Sequence, residues 1–452
     1  MRVLLFLLVS LSSLNSQVKV ESWYGELEVK GDLLNQVLER FNIDAQFTLL
    51  NEIKSNSGKH FLYQQTINGL PVFNGGLKIN IDQNNNIRSV FNYSYDESLV
   101  IEEGETFNVY YFSNGAIYEA QYTKVLKEDY HVETIDFSAG IFVNPLMCLF
   151  QDTTINVGVF DPDPLTSSGN EYGGDYVDNS DANSFFLNDQ IVNRTINARY
   201  NNGSFLLEND HVIMMDLSNP IQTVVTSADQ SFMFTRNEDE FEEVNAFYHI
   251  SNMKNYLESI GLDTLMNYQI QVDAHALNGS DNSMFVSSFD PPRLLFGDGG
   301  VDDAEDADVI IHEYGHAISH FCAPGSNNGL ERNTLDEANG DYFAASYSKS
   351  ISSHNWGKVY SWDGHNEYWS GRMVITNDHY PQDLVGNRYN DADIWAATIM
   401  QIHDDIGREE TDKILIESMY SYASYISMTD AARLFVQAAA GTARRRRAAG
   451  HG

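Results

Sequence analysis

The chain has 452 residues, 42% hydrophobic and 20% charged, enough apolar material for a sizeable core and too much length for one small domain. Asp and Glu number 64 against 27 Lys and Arg, a net charge of -37. So acidic a surface repels phosphate backbones and anionic lipid, which argues against nucleic acid as a partner. With only Cys148 and Cys322, a disulfide scaffold is excluded and a single bridge stays open.

Residues 1–16, MRVLLFLLVSLSSLNS, run from one Arg through an apolar stretch to small polar residues, the order of a signal peptide. That stretch is too short to span a bilayer, and no later one approaches the necessary length, so the mature protein is expected outside the cytoplasm, with no membrane span.

Residues 17–140 read as β-rich. A short helix is expected over Asp32 to Phe41, then alternating strands at His60–Gln65, Leu77–Ile81 and Ile87–Tyr93. The runs Asn68-Gly69, Asn74-Gly75-Gly76 and Asn84-Asn85-Asn86 read as their turns, and a further strand pair precedes Ser138.

From 141 the composition changes. Asp161-Pro162-Asp163-Pro164 and the polar run Ser167 to Ser184 are loop-like. Strands follow at Ser204–Leu207 and His211–Asp216, and Glu238–Ile260 carries apolar residues at helical spacing. Strands at Tyr268–Ala276 and Arg293–Phe296 precede helices over 304–321, 333–348, 392–404, 411–424 and 429–440. The order β-rich, mixed, helical predicts an α+β protein with a helical C-terminal lobe. Residues 442–452, with Arg444 to Arg447, read as an irregular basic tail.

The chemistry concentrates in His312-Glu313-Tyr314-Gly315-His316. The segment from Asp308 to Phe321 reads as an apolar helix, with Asp302 or Asp303 as its cap. Residues i and i+4 share a helix face, so both imidazoles can reach one cation, while Glu313 points elsewhere and can act on a metal-bound water. Downstream, Glu337 and Asp341 repeat the i, i+4 spacing. Glu337 can complete a His₂Glu set that suits zinc and leaves one position open. Asp341 can hold the free N–H of a ligand histidine. A third histidine in the HExxHxxGxxH pattern is excluded, because Ser319 and Cys322 occupy the required positions.

These motifs resemble the gluzincin metallopeptidases, in particular the fungalysin/thermolysin group, over roughly residues 45–441. HFLYQQTINGLPVFNGGLKINIDQNNNIRSVF (60–91) resembles the propeptide module, VFDPDPLTSSGN (159–170) the start of fungalysin-type catalytic domains, and DVIIHEYGH (308–316) with DEANGD (336–341) the zinc motifs. The resemblance implies a thermolysin-like two-lobed α+β zinc peptidase preceded by a β-rich inhibitory propeptide: a signal peptide at 1–16, the propeptide at 17–140 and the catalytic domain at 141–441. It implies a secreted endopeptidase made as a zymogen and acting on proteins or peptides. One Zn2+ would sit on His312, His316 and Glu337, with Glu313 as general base and Asp341 behind a ligand histidine. Asn282 and Ser283 would bind the substrate backbone along an edge strand.

The chain departs from the family where a C-terminal His usually stabilises the oxyanion. Tyr389 stands there, a phenol able to donate the same hydrogen bond, and His379 is an alternative donor. Asp308 falls at a calcium-ligand position of thermolysin without the rest of that cluster, so calcium stays open. No Gly-x-Met-Glu-Asn exopeptidase motif is present. The rival class is a non-catalytic secreted binder of peptides or partners, and an intact His-Glu-His-Glu-Asp set speaks against it.

Overall fold

The computed structural model describes residues 21–67, 70–94, 105–113, 116–127, 130–136 and 151–449. The signal-peptide segment, Cys148 and the Asn68-Gly69 turn lie outside them. The chain divides into two compact units, the first holding most of the described residues up to Asp136 and the second those from Gln151 on, with Ser55–Ser57.

The first unit contains β1 (Glu21–Glu28), α1 (Leu33–Phe41), β2 (Gln46–Lys54), β3 (Gly58–Ile67), β4 (Leu70–Asp82) and β5 (Asn86–Asn92). The strands form an antiparallel sheet in the order β1-β5-β4-β3-β2. One face buries Tyr63, Leu77, Ile79, Ile81, Ile87 and Val90 against Val37 of α1. Asp32 caps that helix by accepting from the Asn35 N–H at 2.8 Å. The run Asn74-Gly75-Gly76 is not a turn. It lies inside β4, and the β3–β4 register slips between Gln64 and Thr66. A Cβ on Gly76 would come within 2.7 Å of the Tyr63 carbonyl, so the glycine serves a close strand approach. A further antiparallel sheet joins β6 (Glu105–Ser113), β7 (Ala116–Lys127) and β8 (Tyr130–Asp136).

The second unit opens on β9 (Gln151–Val159), followed by the short α2 (Pro164–Ser168) and α3 (Phe185–Asn188). The polar strand β10 (Val192–Asn201) pairs with β9 along its whole length. Neither strand was legible, because β10 alternates Asn, Arg and Thr with few apolar residues. β11 (Ser204–Leu206), β13 (Thr226–Ser227) and β14 (Ser231–Phe232) complete that sheet. A four-stranded sheet follows in the order β12-β15-β17-β16, from Val212–Met214, Ile270–Asp273, Arg293–Leu295 and Met284–Val286. β16 is its edge.

Helix α4 (Glu240–Ser259) is buried along most of its length, as an all-round interior helix should be. A short 3₁₀ turn, Asp303–Glu305, leads into α5 (Ala307–Cys322) and then α6 (Leu330–Ile351). The α5 cap is Asp306, which accepts from the Asp308 N–H at 2.8 Å, and not Asp302 or Asp303. A small ladder, β18 (Lys358–Val359) with β19 (Arg372–Met373), precedes α7 (Ala392–Ile406), α8 (Arg408–Met419) and α9 (Met428–Ala449). α9 carries its helix through Arg444–Arg447, where the sequence reading expects an irregular tail; Ala and Arg are strong helix formers. Among the described residues no helix is long and apolar enough to cross a membrane.

Candidate active site

Helices α5 and α6 make the site by approaching closely. A Cβ on Gly315 would stand 2.9 Å from the Gly340 Cα, and one on Gly340 would stand 2.6 Å from His312 Nδ1. Any larger residue at either position would push the helices apart. This contact sets Glu337 of α6 opposite the histidine face of α5. Ligand atoms of His312, His316 and Glu337 all lie within 4.8 Å of one another. His312 Nε2 is 3.5 Å from Glu337 Oε2, and the two imidazole centroids are 4.7 Å apart. Two ligands about 2.0–2.1 Å from a tetrahedral ion stand roughly 3.3 Å apart, so this spacing fits one small cation.

Each imidazole is backed by an acid on its far nitrogen. His316 Nδ1 lies 2.8 Å from Asp336 Oδ2. His312 Nδ1 lies 3.0 Å from Asp341 Oδ1, an ion-pair distance without good hydrogen-bond alignment. Asp341 also accepts from the Tyr360 hydroxyl at 2.8 Å and from Arg372 at 3.0 Å. Asp336 accepts from Asn327 at 2.9 Å, from Arg332 at 3.2 Å and from Ser319. Such partners fix the tautomer that presents Nε2 to a metal.

Burial pulls the His316 imidazole down, yet Asp336, Glu313 and Glu337 outweigh it and push it up to about 10. His312 is raised for the same reason, with Asp341 and Glu337 overcoming its burial. Glu337 and Asp341 go the other way: burial would raise them, and the surrounding cations hold them below the usual carboxylate range. The site is thus an electronegative pocket that gathers positive charge, either as protons or as a metal.

Glu313 is buried at 6% exposure, and its charge is among those that raise His316. Its Oε1 accepts from the Ser283 hydroxyl at 3.1 Å, and its Oε2 has no hydrogen-bond partner. An orphaned, buried carboxylate oxygen beside a cation site is suited to receive a proton from a water molecule.

The remaining expected residues divide. Asn282 is exposed and stands two residues before the edge strand β16. Ser283, read as a substrate-backbone partner, donates its hydroxyl to Glu313 at 3.1 Å. Tyr389 is 44% exposed and has Arg372 and Arg388 on its ring, at 5.0 and 4.5 Å. Arg388 in turn stands 3.8 Å from Glu337. His379 is not brought to the cluster: its side chain is 79% exposed and faces Asp383 at 3.6 Å. Asp308 accepts from the Ser348 hydroxyl and from the Tyr360 N–H. Cys322 is buried.

Sequence reasoning missed Arg372 and the pairing of Asp336 with His316. Arg372 donates to Glu337 at 3.2 Å as well as to Asp341. It comes from β19, in a segment with no motif, and only the fold delivers it. Asp336 adjoins Glu337, and its i, i+4 relation to Arg332 was a visible signal for a buried pair.

Residues 45–93 match the family described as Fungalysin/Thermolysin Propeptide Motif, and residues 187–320 match the Thermolysin metallopeptidase, catalytic domain. The second match includes the HExxH helix and stops before Glu337. Together with the site geometry, these matches, which span less than half of the chain, support a metalloendopeptidase with a thermolysin-like catalytic domain. It is made as a zymogen, with its propeptide motif ahead of the catalytic domain. Among solved structures the chain is similar to the precursor of protealysin, a metalloproteinase from Serratia proteamaculans, at 11% identity and a TM-score of 0.38. That likeness covers 50% of this chain and 80% of the other. No curated protein matches the chain.

Proposed function

We propose that His312, His316 and Glu337 hold a single zinc ion and that Glu313 is the general base of peptide hydrolysis. The observation that carries this is the convergence of the three ligand atoms within 4.8 Å beside a buried Glu313 whose Oε2 is unpartnered. When bound, zinc would supply Lewis-acid polarisation and a water with a pKa near 7. Glu313 takes the proton of the attacking water on Oε2 and passes it to the leaving amine. The Ser283 hydroxyl holds the other oxygen and so aims the carboxylate. Asp336 and Asp341 keep the two imidazoles in the ligating tautomer.

The substrate lies extended along β16, an unpaired sheet edge whose backbone groups beside Asn282 can bond a peptide strand. Tyr389 donates to the developing oxyanion, and the flanking Arg372 and Arg388 add positive charge there. The segment before residue 141 restrains the enzyme until it is removed, and the chain is exported by its N-terminal apolar run.

The test is Glu313→Gln. It should lower turnover of a casein or peptide substrate by at least 10²-fold while leaving zinc content unchanged. A chelator should abolish activity and added zinc should restore it. Full turnover in the Gln variant would refute the assignment of the base.

A further inference from the structure

We propose that Asp281, Asp303 and Asp363 form a second metal site, for a hard divalent cation of the calcium type. Carboxylate oxygens of the three lie within 4.8 Å of one another. They come from three segments: the loop ahead of β16, the 3₁₀ turn that leads into α5, and the loop between β18 and β19. Asp303 and Asp363 are 2% and 4% exposed, whereas Asp281 opens to solvent and gives an ion its route in.

The protein's own donors do not satisfy this group. Asp363 Oδ2 accepts from Trp369 Nε1 at 3.1 Å, but Asp363 Oδ1 is buried without any partner. Asp303 receives one long bond, from the Gly297 N–H at 3.4 Å. Among the described residues no Lys, Arg or His pairs with any of the three. Buried Glu305, by contrast, has Arg236 at 2.8 Å. Here burial and mutual repulsion push Asp363 up to about 8 and Asp303 well above the carboxylate range. A dication removes that repulsion without protonating the acids.

The backbone is shaped to bring the acids together. A Cβ on Gly299 would stand 2.3 Å from the Asp281 N, and one on Gly300 would stand 2.9 Å from Asp281 Oδ2. The glycine turn therefore presses on the Asp281 loop as no larger residue could. Three carboxylates and no nitrogen or sulfur ligand select calcium or magnesium over zinc. An irregular loop-built site with one exposed side favours the larger, geometrically tolerant ion. Calcium would tie the loop bearing Asn282 and Ser283 to the start of α5 and to the approach to β19, which carries Arg372. It would thus brace the substrate edge against the metal helix.

The experiment uses the full chain after treatment with a calcium chelator, with zinc content measured on every sample so that the histidine site is read separately. Added calcium at a hundredfold excess over its Kd should raise the Tm by about 5 °C or more. Terbium in its place should give luminescence sensitised by Trp369, displaced by calcium. Asp363→Asn should lose both responses and keep its zinc. Asp281→Asn, at an exposed position that the fold tolerates, should weaken calcium binding at least tenfold. No calcium response in the parent chain would overturn the site, as would an undiminished response in Asp281→Asn. The zinc assignment would be untouched by either result.

Discussion

Replacing Asp341 with Asn tests whether the acids behind the histidines set metal affinity. Asp341 stands 3.0 Å from His312 Nδ1 and also receives Tyr360 and Arg372. The amide preserves shape but removes the charge that favours a proton on Nδ1 and a lone pair on Nε2. It also leaves Arg372 with Glu337 as its remaining carboxylate, at 3.2 Å. Two effects then add. His312 becomes a weaker donor, and a guanidinium competes with the metal for the third ligand. Losing such a partner typically costs 10- to 100-fold in metal affinity, about 1.4–2.8 kcal/mol. Competition with a fluorescent zinc chelator measures the Kd, and circular dichroism checks that α5 and α6 remain folded. Zinc affinity within twofold of the parent would refute the reasoning, because it would mean the pocket's electronegativity is not set by Asp341.

Stability should depend on pH differently with and without zinc. In the metal-free chain the raised pKa of His316, about 10 against 6.5, means its pairing is fully stabilising below about pH 6.5 and is lost as pH rises towards 10. Buried Asp363, raised to about 8, acts in the same direction, so the Tm of the metal-free chain should fall between pH 6.5 and 10. The gain in Tm on adding zinc should grow over the same interval, since the metal displaces those protons; a flat gain would contradict the account. Arg236→Met should destabilise the catalytic unit by about 3–5 kcal/mol in chemical denaturation, because it strips the cation from buried Glu305 and Asp178. Tyr389→Phe should lower kcat at least tenfold with little change in KM if the phenol serves the oxyanion, and unchanged kcat would remove it from that role.

What could be read from the chain depended on whether the signal was periodic and local. β1 and β2 were not placed, whereas β3, β4, β5 and α4 to α9 could be stated from sequence. β9 and β10 could not, because β10 places Asn, Arg and Thr where a half-buried strand usually shows apolar residues. The run Asn74-Gly75-Gly76 looked like a turn, since sequence does not separate a glycine that reverses the chain from one that admits a neighbouring strand. The cap of α5 was misplaced among four nearby acids, any of which has the right side chain for an N-terminus.

The HExxH spacing by itself determined that two imidazoles share a helix face with a carboxylate beside them, because helical geometry acts over four residues wherever the helix sits. The i, i+4 acids of α6 were legible for the same reason. Only the tertiary structure decided which acid backs which histidine, that the Ser283 hydroxyl bonds Glu313, that His379 faces solvent, and that Arg372 arrives from a distant ladder. Those relations depend on how closely two helices pack at Gly315 and Gly340 and on where loops far apart in sequence are laid down. No local periodicity encodes such distances.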